Sequence, residues 1–269
     1  MLGQLNLKGK DRVETAIQRI KMFEPPNGYY LAFSGGKDSV VIKALADMAG
    51  VKYDAHYNVT SVDPPELICF IRKHHPDVIW DYPTYVDGTR ATMWNLIPKK
   101  KMPPTRMVRY CCEVLKEGGG KGRFVITGVR WAESVRRANN RAGFEIQGNK
   151  STRVLGDPDN PDNAKMARSC PTQGKRILNP VIDWSDADIW EFIHGYDVPY
   201  CELYDRGYKR LGCIGCPMNS RAAQELDSYP GFKRLYIRAF EKMLVAREDA
   251  GLENNWKTGE DVMKWWLSK

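Results

Sequence analysis

The hydrophobic pattern of the chain changes period abruptly just after residue 33. Tyr30, Leu31, Ala32 and Phe33 form an unbroken apolar run, long enough for a buried strand. The polar stretch Ser34-Gly35-Gly36-Lys37-Asp38-Ser39 follows at once, and from Val40 to Met48 apolar residues recur at helical spacing. The pattern predicts a strand, a glycine turn and a helix. Ahead of it, Val13, Ala16, Ile17, Ile20 and Phe23 share one face of a helix predicted over 10–23, which Pro25-Pro26-Asn27-Gly28 breaks. Behind it come a strand over 52–59, a helix over 66–74, a strand over 78–80, a helix over 89–97, a strand over 123–128 and a last strand over 176–182. Ser185-Asp186-Ala187-Asp188 predicts the N-terminus of a further helix through Ile193.

Strands alternating with helices predict an α/β fold with a parallel sheet flanked by helices. Such sheets bind ligands beyond the carboxyl ends of their strands, where the glycine turn falls. Residues 139–175 are rich in Asn, Asp, Gly and Pro, and predict a long lid or a partly disordered insertion. From Arg221 onward the pattern is helical, so residues 1–218 are expected to form the nucleotide-binding domain and 219–269 a helical C-terminal segment.

Charge and cysteine content narrow the chemistry. A net charge of +8 suits an anionic ligand and is compatible with nucleic acid as a partner. No apolar run reaches membrane-spanning length and Met1–Lys10 lacks a signal-peptide core, so the expectation is a cytoplasmic protein with no membrane partner. In a reducing compartment the seven cysteines point to metal or redox chemistry rather than to disulfides. Cys69 is expected in the core.

The glycine turn itself reads as a phosphate site. Two adjacent glycines let backbone N–H groups face a ligand, and the following helix adds the positive end of its dipole. Lys37 brings a full charge, and Ser34 and Ser39 bring hydroxyls. The common nucleotide loop places a glycine five residues ahead of its Gly-Lys pair, and that glycine is missing here. A second signal is Cys213-x-x-Cys216 together with the adjacent pair Cys111-Cys112. Four thiolates suit tetrahedral zinc or a [4Fe–4S] cluster, and adjacent cysteines favour the cluster because they can bind different irons.

Ser34 to Ser39 resembles the PP-loop (SGGxDS) of the N-type ATP pyrophosphatases and of the phosphoadenylyl-sulfate (PAPS) reductases. The cysteine pattern is similar to that of cluster-bearing adenylyl-sulfate (APS) reductases. Gly128-Val129-Arg130, Glu133-Ser134, Leu178-Asn179-Pro180-Val181, Tyr204-x-x-Gly207-Tyr208 and Gly212-Cys213 follow the same family's order. The resemblance runs from Gly28 to Met218 and implies a PAPS reductase-like sheet that binds an adenine nucleotide. It implies a nucleotide site at Ser34, Gly35, Gly36, Lys37, Asp38 and Ser39. Thr60 and Ser61 end the second predicted strand and are expected against adenosine; Gly128, Arg130, Glu133, Arg136 and Arg137 are expected near sulfate or phosphate. Lys37, Asp38 and Arg130 are the expected catalytic residues, with Asp38 placing Mg2+.

The chain departs from the reductases in one respect. They carry a catalytic cysteine near the C-terminus, and no cysteine follows Cys216 here. The reductase reaction would need a displaced nucleophile such as Cys170 or Cys201, or one lent by another protein. The departure leaves three readings open. In one, ATP activates a substrate by adenylation for sulfur transfer, with tRNA or DNA as acceptor and a cysteine desulfurase as supplier. In another, APS or PAPS is reduced to sulfite with thioredoxin. In the third, the chain is a non-catalytic nucleotide or redox sensor. A homo-oligomer is compatible with all three.

Overall fold

A computed structural model describes residues 11–148, 153–169 and 175–268. The chain divides into two compact units, each assembled from three stretches: 1–57, 69–80 and 119–211 in the first, and 58–68, 81–118 and 212–269 in the second.

The first unit holds a seven-stranded sheet. Its strands are β1 (Tyr29–Ala32), β2 (Tyr53–Asn58), β3 (Ile79–Asp81), β4 (Phe124–Ile126), β5 (Phe144–Gln147), β6 (Arg153–Gly156) and β7 (Lys175–Leu178), in the order β3-β2-β1-β4-β7-β5-β6. β1 pairs in parallel with β2 and β4, and β4 pairs in parallel with β7. This is the α/β sheet that the alternating pattern predicts. Helices α1 (Arg12–Met22) and α2 (Lys37–Ala49) pack together. Helix α3 (Pro65–His74) begins in the second unit's stretch 58–68 and ends in the first unit. Phe124 sits among the rings of Phe23, Tyr29 and Phe144 at 5.3–6.2 Å between centroids. Gly50 closes α2 in the left-handed region (φ 66°), which costs a glycine little.

The described parts of residues 139–175 are more regular than their composition suggests. β5 runs antiparallel to β7 and β6 antiparallel to β5, so the segment extends the sheet by two strands instead of forming a lid. Buried Glu145 holds Arg141 and Arg153, polar partners that an apolar-periodicity reading does not detect. The last predicted strand stops early, at Leu178. Asn179 leaves the ladder and its side chain bonds Thr127 Oγ1 and the carbonyl of Ala142.

The second unit is helical. It contains α4 (Met93–Lys100) and α5 (Tyr110–Leu115); the first unit adds α6 (Val135–Asn140), α7 (Pro161–Ser169) and α8 (Asp186–Gly195). The second unit ends with α9 (Ala222–Ser228), α10 (Pro230–Glu248) and α11 (Gly259–Leu267). Leu96, Ile97, Tyr236, Phe240, Val262 and Trp266 form much of its core. Helix α4 begins four residues later than its apolar pattern suggests, because Thr92 and Asn95 cap it reciprocally and Arg90 pairs with Thr84 in a short hairpin. No described helix is long and apolar enough to cross a membrane. Cys69 is exposed, contrary to the expectation of a core thiol, because it occupies the outer face of α3.

His75 is buried between the rings of Phe33 and Phe70, and its Nε2 has no hydrogen-bond partner. Burial first, and the Lys43 cation second, depress its pKa to about 4. The unfolded chain takes up this proton near pH 6.5 and the folded chain does not until about 4. Stability contributed by neutral His75 is therefore complete above pH 6.5 and is lost as the pH falls toward 4. His75→Phe is expected to flatten the fall in Tm between pH 7 and 5 relative to the parent chain, as read by thermal melts across that range.

Candidate active site

Three segments meet beyond the carboxyl ends of the adjacent parallel strands β1, β4 and β7. They are residues 34–39 after β1, 128–133 after β4 and 184–186 after β7. The sheet brings them together although 144 residues lie between the first segment and the last.

The loop after β1 is stiffened from within. Gly35 takes φ 71°, a conformation that disfavours a side chain. Ser39 Oγ donates to the Gly36 carbonyl at 2.8 Å and accepts from the Ser34 N–H at 3.2 Å. Ser34 and Ser39 thus clamp the turn as well as lining it. Gly36 caps α2, and the Lys37 N–H donates to the hydroxyl of Tyr204 at 2.8 Å. Tyr204 is held beside Trp190, and burial pushes its pKa up.

A charge network surrounds the loop. Arg130 is fully buried. Its Nε donates to Asp38 at 2.7 Å, one terminal nitrogen to Asp186 at 2.6 Å, and the other to the Trp184 carbonyl at 3.1 Å. Lys37 Nζ lies 3.3 Å from Asp38 and 3.2 Å from the same Asp186 oxygen. Partial burial works against the charge on Asp186, but Arg130 and Lys37 outweigh it and hold the carboxyl below its usual range. Burial likewise works against the charge on Arg130, and Asp38 and Asp186 overcome it, raising its pKa. Gly128 permits this arrangement, because a Cβ there would come within 2.8 Å of the Asp38 carbonyl.

Glu133 accepts from the Arg130 N–H at 3.1 Å and pairs with Arg137 and Arg210. Arg136 is exposed. Cys201 is completely buried, and Cys170 lies outside the described residues. Two participants were not among the sequence's candidates, Asp186 and Tyr204. Asp186 was legible only as the opening of a helix; its place on the first helix after a parallel strand was the available signal. Tyr204 was marked only as part of the Tyr204-x-x-Gly207-Tyr208 resemblance, with no role at the loop, which it reaches through tertiary packing.

The remaining candidates lie in the second unit, taken by itself. Thr60 Oγ1 donates to Asp63 at 2.6 Å, and Ser61 Oγ accepts from the Met93 N–H at 3.0 Å. Cys213 Sγ stands 3.9 Å from Thr60 Oγ1, and Arg109 donates to Cys112 Sγ at 3.4 Å. A hydrogen bond from Cys111, with Arg109 nearby, lowers the Cys112 pKa to about 5, and the same bond raises that of Cys111. Burial raises Cys213 to about 11, and the Lys116 ammonium partly opposes it. Cys111, Cys112, Cys213 and Cys216 lie within electrostatic reach of one another. Among the described residues no three His, Cys, Asp or Glu side chains are gathered so as to hold a metal ion. The donor set, four thiols flanked by two cations, nevertheless has the chemistry of an anionic all-thiolate centre.

The family described as the phosphoadenosine phosphosulfate reductase domain matches residues 28–219. An uncharacterised protein of Methanocaldococcus jannaschii is 28% identical over 94% of this chain and 59% of its own length. The adenosine 5'-phosphosulfate reductase of Allochromatium vinosum is 28% identical over 56% of this chain and 52% of its own. The chain thus spans little more than half the length of these relatives. The crystal structure of a PAPS reductase from Candida auris aligns with 79% of this chain and 98% of its own, at 18% identity and a TM-score of 0.49.

Gly128→Ala is expected to push the first turn of α2 away from Arg130 and to destabilise the fold by about 2 kcal/mol, measured by urea denaturation. Arg130→Met, which leaves Asp38 and Asp186 without their shared guanidinium, is expected to cost about 3 kcal/mol in the same assay.

Proposed function

Because the chain belongs to the phosphoadenosine phosphosulfate reductase domain family, we propose that it is an enzyme that binds ATP at Ser34–Ser39 and activates a substrate by adenylation for sulfur transfer. The observation that carries this reading is the carboxylate pair Asp38 and Asp186 beside Lys37 and Arg130. Two carboxylates at a phosphate site oppose a bare anion and favour a nucleotide that arrives with a divalent cation. Mg2+ is commonly held by one or two carboxylates plus substrate phosphates, so the oxygen donors of Asp38 and Asp186 fit it. When bound, it would neutralise charge on the β- and γ-phosphates.

In the proposed reaction a substrate oxygen attacks the α-phosphorus of ATP. The new O–P bond forms as the bond to the β-phosphate oxygen breaks, and pyrophosphate departs with its electron pair. Lys37 and the loop N–H groups stabilise that leaving charge. Arg130 fixes the orientation of both carboxylates, and Glu133 fixes the backbone of Arg130. The terminal sulfur of a persulfide, delivered by a partner such as a cysteine desulfurase, then displaces AMP from the acceptor, a tRNA or DNA. A second thiol cleaves the resulting S–S bond, leaving the sulfur on the acceptor and itself ending in a disulfide. Cys111, Cys112, Cys213 and Cys216 would hold a [4Fe–4S] cluster, with zinc as the alternative, and such a cluster would supply a site for sulfur or electrons. The expected setting is the cytoplasm.

Reduction of APS or PAPS to sulfite is the second reading, favoured by the family match and by the A. vinosum relative. It requires a nucleophilic thiol at the nucleotide. Cys201 is buried, so that thiol would be Cys170 or one supplied by another protein such as thioredoxin.

Anaerobically purified protein given ATP, Mg2+ and bulk tRNA or DNA is expected to release AMP and pyrophosphate, and Lys37→Ala to slow release by 100-fold or more. Sulfite from APS or PAPS with thioredoxin, and no pyrophosphate from ATP, would establish the reductase instead. Tight nucleotide binding with neither product would leave the sensor. Iron and sulfide analysis tests the thiol assignment separately: about four irons per chain, with loss in Cys213→Ser, is the expected result. Stoichiometric zinc without iron would replace the cluster with a mononuclear site.

A further inference from the structure

One face of the second unit takes no part in the loop chemistry. From Arg90 to Arg109 the chain carries Arg90, Lys99, Lys100, Lys101, Arg106 and Arg109, and no Asp or Glu. All of these except Lys101 are exposed. Two of the cations lie over tyrosine rings, Arg90 at 4.1 Å from the centroid of Tyr82 and Lys99 at 3.5 Å from that of Tyr85. Tyr82 is 46% exposed, and Val86, Met107 and Val108 are exposed as well. Next to this strip, a cleft of about 550 Å³ is lined by Lys100, Met107, Val108, Arg109, Glu113 and Glu117. Arg109, at the edge of the cleft, also donates to Cys112.

Cations interleaved with accessible aromatic rings match a partner that is anionic along its backbone and flat in its side groups. Lys and Arg neutralise phosphates while tyrosines offer stacking surfaces, which single strands can use and paired strands cannot. An acidic peptide would use the cations and leave the rings idle. Glu113 and Glu117 in the cleft repel a phosphate, so an uncharged base is the part that enters there. We propose that residues 82–109 form a docking face for single-stranded nucleic acid, with the phosphates on Arg90, Lys99 and Lys100 and a base directed into the cleft beside Arg109. This rests on the sulfur-transfer reading and names the face that receives its acceptor.

The test is fluorescence anisotropy of the full chain with labelled 20-nucleotide oligo(U) and oligo(dT) between 50 and 300 mM salt. Lys99→Glu/Lys100→Glu is expected to weaken binding at least 10-fold. The same variant should reduce the slope of log K against log salt by about 1.4, from about 0.7 per lost phosphate contact. Tyr82→Ala should weaken binding several-fold while leaving the slope unchanged. ATP affinity, measured in parallel, should be the same in every variant and reports an intact protein. Unchanged affinity and slope in both variants would overturn the proposal. Polyglutamate displacing the oligonucleotides as well as unlabelled RNA does, with no effect of Tyr82→Ala, would assign the face to an acidic protein and also overturn it. Oligonucleotide binding with the expected slopes, in protein that releases no pyrophosphate, would sink sulfur transfer and leave the docking face standing.

Discussion

The buried guanidinium of Arg130 is the interaction on which the candidate active site depends. It sits after β4 and grips Asp38 on the helix after β1 and Asp186 on the helix after β7. A planar cation with donors on several edges can hold two carboxylates in fixed directions at once, which a lysine cannot. With Arg130 in place, the ends of three neighbouring strands act as one constellation, and Lys37 is drawn into it by the same two acids. Such a cation is costly to bury alone and is stable here only because both acids meet it. The positions of loop, helix dipole and carboxylates are consequently interdependent.

Much of this was legible in the sequence, for physical reasons that differ by element. The step from a four-residue apolar run to glycines to helical spacing defines β1, its turn and α2, because buried strand and amphipathic helix have different hydrophobic periods. The Ser185–Asp188 cap was equally visible, and its reciprocal bonds are present. The segment 139–175 was misread because β5, β6 and α7 are short and polar-flanked, with Glu145 satisfying arginines rather than packing apolar groups. Asp186 and Tyr204 were not recognised as site residues because their roles come from strand order and side-chain packing, which no local pattern encodes.

The two units carry distinct electrostatics. Around the nucleotide loop, acids and bases are matched one against another, so an incoming polyphosphate must bring a cation or displace an internal partner. In the second unit the thiols lie with Arg109 and Lys116, an arrangement that lowers the cost of thiolate charge. The first environment suits a metal-bearing nucleotide; the second suits sulfur. In the proposed reading, activation of an acceptor by ATP draws on the first and sulfur delivery on the second.

The dependence of nucleotide affinity on magnesium tests that contrast most directly. Calorimetric titration of the purified chain with ATP and with APS, each in excess Mg2+ and in EDTA, gives four affinities. The account predicts that ATP binds at least 10-fold more tightly with Mg2+ than without and that APS binds weakly in both. Tight APS binding that ignores the metal, with ATP weak in both conditions, would contradict it.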